Sequence, residues 1–222
     1  MEVASLINAY FISGLGADRR IFDKIKLDKS INIIHVNWIE PLSNESLPDY
    51  AKRLSKVIDQ TSPFVLIGVS FGGMLSTEIA KICSPKATIV ISTTILSNQL
   101  PRLYRFAGKL NVLKFIPAGI LKSSNKLTQN YFFGVSNKEE KLLLTKIVND
   151  TESNFLKWAI GSIITWKNNI KPKNLYHIHG TNDRILYSKN AKPDFLINAG
   201  THFMVYQKAN EISAIINQII LK

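Results

Sequence analysis

The 222-residue chain has a single cysteine, Cys83, so an internal disulfide and a cysteine-built zinc or iron–sulfur site are both excluded. It has no apolar run of the roughly 18 residues that a membrane-spanning helix needs. Its first residues lack the basic segment and long apolar stretch of a signal peptide, so we expect a cytoplasmic protein. Acidic residues are scarce, with 16 Asp and Glu against 28 Lys and Arg, which gives a net charge of +12.

This basic balance has two interpretations. It favours anionic partners such as nucleic acid, acidic lipid or a phosphate-bearing substrate, or it reflects a solvated surface rich in lysine. The chain has no helix-turn-helix, no RNA-recognition motif and no interleaved aromatic and basic strand, so we expect no nucleic-acid partner. With 45% hydrophobic and 20% charged residues, the length fits one globular domain, or one domain carrying a modest insertion.

Short apolar or β-branched runs recur along the chain, and several are almost continuously apolar, as in strands buried on both faces. They span residues 6–12, 31–36, 64–69, 87–92, 175–179 and 195–199. Helical spacing lies between some of them, beginning after Ser46 and at residues 74–82, and again at 204–221. This alternation predicts an α/β fold with a mostly parallel, doubly covered sheet of about six strands.

Residues 97–169 break this alternation, because they contain helical patterns and breakers but no convincing strand. We expect a helical cap there, inserted into a core formed by residues 1–96 and 170–222. Its first predicted helix has an apolar stripe at Leu100, Leu103, Phe106, Leu110 and Leu113. The cap's first thirty residues contain basic and no acidic side chains: Arg102, Arg105, Lys109, Lys114, Lys122 and Lys126.

The basic segment of the cap has three interpretations. Arg102, Arg105 and Lys109 share a helix face opposite the apolar stripe, and this face is most simply a solvated one. It is also suited to recruiting an anionic substrate. Contact with an anionic membrane surface is the least favoured of the three.

The sequence Gly68-Val69-Ser70-Phe71-Gly72 has the pattern G-x-S-x-G, directly after an apolar strand and at the start of a helix. A sharp strand-to-helix turn of this kind lifts the serine hydroxyl above the sheet, at the positive end of the helix dipole. Ser70 is therefore the candidate nucleophile, and Gly68 and Gly72 give the turn its room. The alternative is a glycine-rich turn with an incidental serine.

A serine hydroxyl needs a base to accept its proton, and the chain has four histidines. His35, His177 and His179 lie within strand-like runs, where a structural role is the simpler interpretation. His202 follows the last strand and precedes the terminal helix, so it can lie over the same edge of the sheet as Ser70. We interpret His202 as the general base, against the alternative of a loop or helix-capping histidine.

The base in turn needs a carboxylate that fixes its tautomer and stabilises its charged form. Asp183 follows the strand at 175–179 and is the best-placed acid, whereas Asp194 precedes a strand and belongs at the opposite edge. A turn aspartate that stabilises the preceding Gly-Thr-Asn loop is the alternative role for Asp183.

The chain order Ser70, Asp183, His202, together with Gly68–Gly73, His179–Asp183 and Gly200–Phe203, resembles the α/β-hydrolase superfamily over nearly the full length. The resemblance implies an oxyanion hole made by the backbone N–H groups of Phe71 and Leu15. The loop that holds Leu15 reads Ser13-Gly14-Leu15-Gly16, where many relatives begin with His-Gly. Relatives also usually have two strands before this loop, where this chain has room for one.

The resemblance implies a serine hydrolase that cleaves a carboxylic ester or thioester through an acyl-enzyme, with water as the second substrate. It implies a small-molecule acyl substrate, no metal and no organic cofactor. Three alternatives stay open: C–C bond hydrolysis or a lyase reaction by the same residues, a non-catalytic ligand-binding protein on the same scaffold, and a surface binder of nucleic acid or membrane.

Overall fold

The core of the fold is a parallel sheet of six strands, seen in a computed structural model that describes residues 6–110, 113, 116, 117, 119 and 126–222. The strands lie in the order β2-β1-β3-β4-β5-β6, and every neighbouring pair is parallel. Their bounds are β1 Ile7–Ile12, β2 Ile31–Val36, β3 Phe64–Val69, β4 Ala87–Ile91, β5 Leu175–Gly180 and β6 Phe195–Ile197. The predicted sheet of about six mostly parallel strands is confirmed.

Alternate side chains along each strand point to opposite faces, and both faces are covered. On one face Phe11 and Ile67 pack in a cluster with Ile212 and Ile216 of the C-terminal helix. On the other face Leu66 packs in a cluster that contains residues of the first two helices. The central strands β3 and β4 are buried at every residue, which is why their sequences are almost continuously apolar.

The helices outside the insertion are α1 Leu47–Leu54, α2 Phe71–Ile79, a short α7 Ser188–Ala191, α8 Met204–Gln207 and α9 Ala209–Ile220. Helix α1 begins as expected, because the hydroxyl of Ser46 caps the N–H of Asp49 and Pro48 lies in the first turn. The helix predicted at 204–221 is divided in two at Lys208, whose φ and ψ of −114° and 29° are not helical.

Between β4 and β5, the described residues form helices and no strand. They are α3 Arg102–Lys109, α4 Lys126–Phe133, α5 Lys138–Asp150 and α6 Ser153–Thr165. Asn137 caps α5 and Glu152 caps α6, each by accepting a backbone N–H of the first turn. Lys114 and Lys122 of the basic segment lie outside the described residues. No helix in the described part of the chain has the length and hydropathy to cross a bilayer.

Most of the apolar stripe predicted for the first cap helix is exposed. Leu103, Phe106 and Leu110 are 72%, 59% and 55% exposed, whereas Leu100, just before α3, is buried as expected. The helix packs on α6 through Gly108 instead, where an added Cβ would lie 2.0 Å from the carbonyl oxygen of Ile164. This close backbone contact fixes the rotation of α3 and turns the leucine stripe outward.

Candidate active site

Ser70, His202 and Asp183 meet at the carboxyl edge of the sheet. The Oγ of Ser70 lies 3.0 Å from Nε2 of His202, and Nδ1 of His202 lies 2.8 Å from Oδ2 of Asp183. A carboxylate only accepts hydrogen bonds, so His202 carries its proton on Nδ1 and its Nε2 is free to accept the hydroxyl proton of Ser70. His202 and Asp183 are each only 5% exposed, so water does not separate these groups.

Ser70 occupies the turn between β3 and α2 with φ 53° and ψ −117°, in a region that residues with side chains rarely adopt. Such a conformation costs about 1–3 kcal/mol and persists only where the surroundings enforce it. Here the N–H of Ser70 donates to the carbonyl of Ile91 at 2.9 Å, and the Thr93 hydroxyl donates to the carbonyl of Ser70 at 2.7 Å. Thr93 is a supporting residue that the sequence analysis did not identify.

The two glycines of the turn are required by close backbone contacts. A Cβ on Gly68 would lie 2.3 Å from the carbonyl oxygen of Gly72. A Cβ on Gly72 would lie 2.2 Å from the carbonyl oxygens of both Ile12 and Ser13. Gly72 therefore allows the first turn of α2 to pack directly on the end of β1, and this contact brings Ser70 beside the loop that follows β1.

We expect Gly72→Ala to lower the free energy of unfolding by about 3 kcal/mol, the upper end of the usual cost of overpacking, because the methyl group meets two backbone oxygens. Urea unfolding measures the change. The matched control is Gly161→Ala in α6, where the nearest atom to an added Cβ is 3.9 Å away. That variant is expected to gain up to about 1 kcal/mol from helix propensity. Equal stabilities of the two variants would contradict this account of the turn.

The loop after β1 lies against the nucleophile. A Cβ on Gly14 would be 3.3 Å from Cβ of Ser70. The loop is a turn closed by a 3.0 Å bond from the N–H of Ala17 to the carbonyl of Gly14. The carbonyl of Ala17 accepts from the Ser13 hydroxyl at 2.8 Å and from Nε1 of Trp38 at 3.1 Å. These bonds hold the loop, which begins at Ser13.

The two predicted oxyanion donors are the backbone N–H groups of Leu15 and Phe71. Within the described residues, neither group donates to a protein acceptor. Phe71 is the first residue of α2, whose N–H has no intrahelical partner, and the helix dipole adds positive potential there. Both groups border Ser70, so they are available to an oxygen that develops negative charge. Their assignment as the oxyanion hole stays a prediction.

The Asp183 carboxylate is fully occupied by donors. Its Oδ1 accepts the N–H groups of Ile185 and Leu186, both at 2.9 Å, and its Oδ2 accepts from His202. Burial alone would raise the pKa of Asp183, but the charge of His202 and hydrogen bonds from His179 and His202 hold that pKa well below its usual range. Asp183 is therefore ionised at neutral pH.

The loop that carries His202 is held by the helical insertion. Gly134, just after α4, has a φ of +70°, and a Cβ there would lie 2.5 Å from Cβ of Thr201. The N–H of Phe203 donates to the carbonyl of Phe133 at 3.3 Å, and the Phe133 ring meets the His202 imidazole edge-on at 5.5 Å. The end of α4 thus fixes the position of the candidate base.

His177 and His179, which the sequence analysis interpreted as structural, lie beside this site. Both are fully buried on one face of β5, and Nε2 of His177 is 3.0 Å from Nδ1 of His179. Burial lowers the pKa of His177 to about 3, with the charges of His179 and Lys171 adding to the effect, so this imidazole is neutral. Their spacing of two residues on a strand that ends at Asp183 is the sequence signal that could have identified them.

We expect the free energy of unfolding to fall on acidification from pH 7 to pH 5, by about 2 kcal/mol for His177. An unfolded histidine has a pKa near 6.5. Below that pH the unfolded chain binds a proton at His177 and the folded chain does not, so acid favours the unfolded state. Asp183 contributes only below about pH 4, since its unfolded pKa is near 3.9. Urea unfolding of wild type and His177→Gln measures the difference.

The control for this pH dependence is His35→Gln. Burial lowers the pKa of His35 as well, but its side chain is only partly buried, so this variant is expected to keep most of the wild-type loss. An unfolding free energy that is flat between pH 5 and pH 7 in the wild type would contradict the neutral state of buried His177.

One cavity contains the site, and a second cavity adjoins the first. One of about 210 Å³ contains Ser70 and His202 and is lined mostly by apolar side chains, including Met74, Phe133 and Ile163. A larger one of about 630 Å³ lies on the other side of Gly16, Ala17 and Ile147, which border both. Four acidic side chains line the larger cavity: Asp18, Glu40, Asp150 and Glu152. Across residues 6–110 and 126–222, no group of three or more acidic, histidine or cysteine side chains is placed to hold a metal ion.

No protein-family model and no curated protein sequence matches the chain. Solved structures do match it. A lipase-esterase related protein from Clostridium acetobutylicum is 15% identical with a TM-score of 0.67, covering 96% of this chain and 93% of that one. A thermophilic esterase from Thermogutta terrifontis is 10% identical with a TM-score of 0.71, covering 96% and 89%. A bromoperoxidase from Bacillus anthracis is 13% identical with a TM-score of 0.69, covering 98% and 92%.

These matches extend over nearly all of each chain, so the likeness concerns the whole fold and not a shared sheet fragment. The chain has the α/β-hydrolase fold, and the resemblance inferred from its motifs is confirmed at that level. Because one fold hosts many reactions, the chemistry is argued from the residues of the site.

Proposed function

We propose that this protein is a serine hydrolase that cleaves a carboxylic ester or thioester through an acyl-enzyme. The observation that supports it most is the unbroken hydrogen-bonded series from Ser70 Oγ through His202 to Asp183, with distances of 3.0 and 2.8 Å, at the mouth of an apolar cavity. A nucleophile, a base and an orienting carboxylate in this order are the requirements of acyl transfer.

In the first half-reaction, Ser70 Oγ attacks the carbonyl carbon while its proton passes to Nε2 of His202. The carbonyl oxygen becomes an oxyanion, which accepts hydrogen bonds from the backbone N–H groups of Leu15 and Phe71. His202 then gives its proton to the leaving oxygen or sulfur as that bond breaks. The products of this step are the free alcohol or thiol and an ester on Ser70.

In the second half-reaction, a water molecule attacks the Ser70 ester and loses a proton to Nε2 of His202. The same oxyanion donors stabilise the second tetrahedral intermediate, and collapse returns the proton to Ser70 Oγ and releases the carboxylic acid. Asp183 keeps the Nδ1–H tautomer of His202 throughout and stabilises the imidazolium that forms in both steps.

The apolar cavity at Ser70 suits a short or medium acyl chain. Its volume of about 210 Å³ exceeds the roughly 150 Å³ of an engineered apolar cavity that holds benzene. Ile163 and Ile185 belong to its wall, and Tyr104 of α3 contributes an aromatic ring. Burying each additional methylene group of the acyl chain gains about 0.8 kcal/mol until the cavity is full.

The larger cavity beside the Leu15 loop is suited to the leaving group. Of its four acidic side chains, Asp18 and Asp150 both bind Arg20, whose charge partly offsets theirs, so the lining is suited to a neutral group. The basic residues Arg102 and Arg105 line a different cavity, of about 400 Å³. Among the described residues, neither cavity that borders the Leu15 loop is lined by an unpaired basic side chain, and a neutral ester is the substrate that we favour.

We expect hydrolysis of p-nitrophenyl butyrate and octanoate with a higher kcat/KM than the acetate. The longer chains bury methylene groups in the apolar cavity that acetate lacks. Initial rates of p-nitrophenol release measure the preference. An acetate preference would contradict the assignment of this cavity, and a wild type that releases no p-nitrophenol from any of the three would contradict hydrolysis of activated esters.

Product analysis separates ester hydrolysis from the alternatives that use the same residues. Hydrolysis of an ester yields one acid and one alcohol per substrate consumed. C–C bond hydrolysis yields an acid and a second fragment that leaves through carbon, with no alcohol or thiol released. A lyase cleaves its substrate without consuming water. A non-catalytic ligand-binding protein would bind these esters without turnover. Mass analysis of reactions in ¹⁸O-labelled water identifies hydrolysis by one labelled oxygen in the acid.

A further inference from the structure

His179 approaches the carboxylate that orients the candidate base. Its Nε2 lies 3.3 Å from Oδ2 of Asp183, the same oxygen that accepts from Nδ1 of His202 at 2.8 Å. His179 and the Asp183 side chain are both 0% exposed, so no water competes for this contact. One carboxylate oxygen is therefore approached by two imidazoles, one on each side.

The neighbours of His179 determine which of its nitrogens carries the proton. Nε2 also lies 2.7 Å from the carbonyl oxygen of Leu186, and a carbonyl and a carboxylate can only accept. A bare Nε2 would face two oxygens with no proton between them. Nε2 is therefore protonated; its N–H donates to the Leu186 carbonyl and makes a longer electrostatic contact, 3.3 Å, with Oδ2 of Asp183.

His177 completes this arrangement. With its proton on Nε2, His179 presents a bare Nδ1, and Nε2 of His177 lies 3.0 Å from it. Of the two ring nitrogens of buried His177, only Nε2 has an acceptor in reach, since Nδ1 has no hydrogen-bond partner within the described residues, so His177 carries its own proton on Nε2. The two imidazoles then point in one direction, each donating from Nε2 toward the Asp183 end of the series.

We propose that His179 is a positioning residue that holds the Asp183 carboxylate in place for His202, and that His177 fixes the tautomer of His179 required for this role. The inference rests on the proposed serine hydrolase function. It extends the series of polar contacts to His177, His179, Asp183, His202 and Ser70, in which each residue lies 2.8–3.3 Å from the next.

The consequence is geometric. Oδ1 of Asp183 is held by two backbone N–H groups, and the donor from His179 limits the rotation and tilt that would move Oδ2 away from His202. Loss of this donor leaves the acyl cavity unchanged, because His179 does not line it. The effect therefore falls on kcat rather than on KM.

The kinetic test compares His179→Leu with His179→Gln, whose amide N–H can replace the Nε2 donor. We expect His179→Leu to lower kcat for p-nitrophenyl butyrate about tenfold, as loss of one hydrogen bond to a charged group would, with KM unchanged within about twofold. His179→Gln is expected to recover most of kcat. The control is His35→Leu, a histidine on β2 that does not contact the site.

A purely structural role for His179 predicts a different pattern. Both variants would then lose thermal stability while the folded fraction kept wild-type kcat, and this result would overturn the proposal. Equal losses of kcat in His179→Leu and His179→Gln would overturn it as well, because the donor would then be irrelevant. Active-site titration with a fluorophosphonate normalises kcat to the folded, reactive fraction of each preparation.

A second measurement needs neither a variant nor activity. In ¹⁵N-labelled wild type, NMR of the histidine side chains is expected to show protonated Nε2 and bare Nδ1 in both His177 and His179 at pH 7. A protonated Nδ1 on His179 would overturn the proposal even in an active enzyme. The expected tautomers in a protein without Ser70-dependent hydrolysis would leave the arrangement in place and contradict the proposed function alone.

Discussion

Ser70→Ala is expected to lower kcat for p-nitrophenyl butyrate by about 10⁶-fold, the scale of loss when the nucleophile of a serine, histidine and aspartate site is removed. The change deletes the hydroxyl that lies 3.0 Å from Nε2 of His202, while Cβ remains and the turn keeps its shape. Substrate binding is expected to persist, because the apolar cavity is otherwise unaltered. Stopped-flow or long-term p-nitrophenol assays cover the range required.

The matched control is Ser76→Ala in the same helix. The Ser76 hydroxyl is buried and donates to the carbonyl of Gly72 at 2.8 Å, so its loss costs stability but removes no reacting group. We expect wild-type kcat from the folded Ser76→Ala protein. Ester hydrolysis at a comparable rate in Ser70→Ala would assign the nucleophile to another residue.

Asp183→Asn is expected to lower kcat by about 10⁴-fold with little change in KM, as the equivalent change does in serine proteases. The asparagine amide can present its NH₂ group to Nδ1 of His202, which then becomes the acceptor. The proton of His202 moves to Nε2, and that nitrogen can no longer accept the proton of Ser70. This variant therefore reverses the direction of donation in the 2.8 Å hydrogen bond between residue 183 and His202.

The control for this variant is Asp194→Asn, the same isosteric change at the other acid considered from the sequence. Asp194 accepts the backbone N–H of His177 within β5, just before β6, and lies in an exposed position near Lys171. We expect it to retain kcat within about twofold, as is usual for surface substitutions. A fall of similar size in both variants would show that acid loss acts through stability rather than through the tautomer of His202.

The sheet could be predicted from the sequence because its strands are buried on both faces. Continuous apolar runs such as those at β3 and β4 have no other stable location in a chain of this size. The turn at Ser70 could be predicted for a related reason, since Gly68 and Gly72 stand where backbone atoms lie too close for any Cβ. Chain order then indicated which acid and which histidine follow neighbouring strands.

The rotation of α3 could not be predicted, because helical periodicity gives the faces of a helix but not which face is buried. Its leucines suggested one face, but the contact between Gly108 and the backbone of Ile164 selected another. Helix α3 packs on α6 where the two backbones meet at Gly108. The spacing of apolar residues does not predict such a backbone contact.

The role of His177 and His179 could not be predicted for a different reason. A buried histidine in a strand is satisfied by whatever group the fold brings to it, and the sequence does not name that group. Here the carbonyl of Leu186 and the carboxylate of Asp183 come from the loop that follows β5. The support of the Leu15 loop by Trp38 is likewise a tertiary contact between separate segments.

The most direct test of the central claim is covalent labelling by a fluorophosphonate followed by peptide mapping. Only an activated serine reacts, so the account predicts a single adduct on Ser70 that is absent from Ser70→Ala and strongly reduced in His202→Gln. Labelling of the wild type at another residue, or equal labelling of wild type and His202→Gln, would contradict the activation of Ser70 by His202.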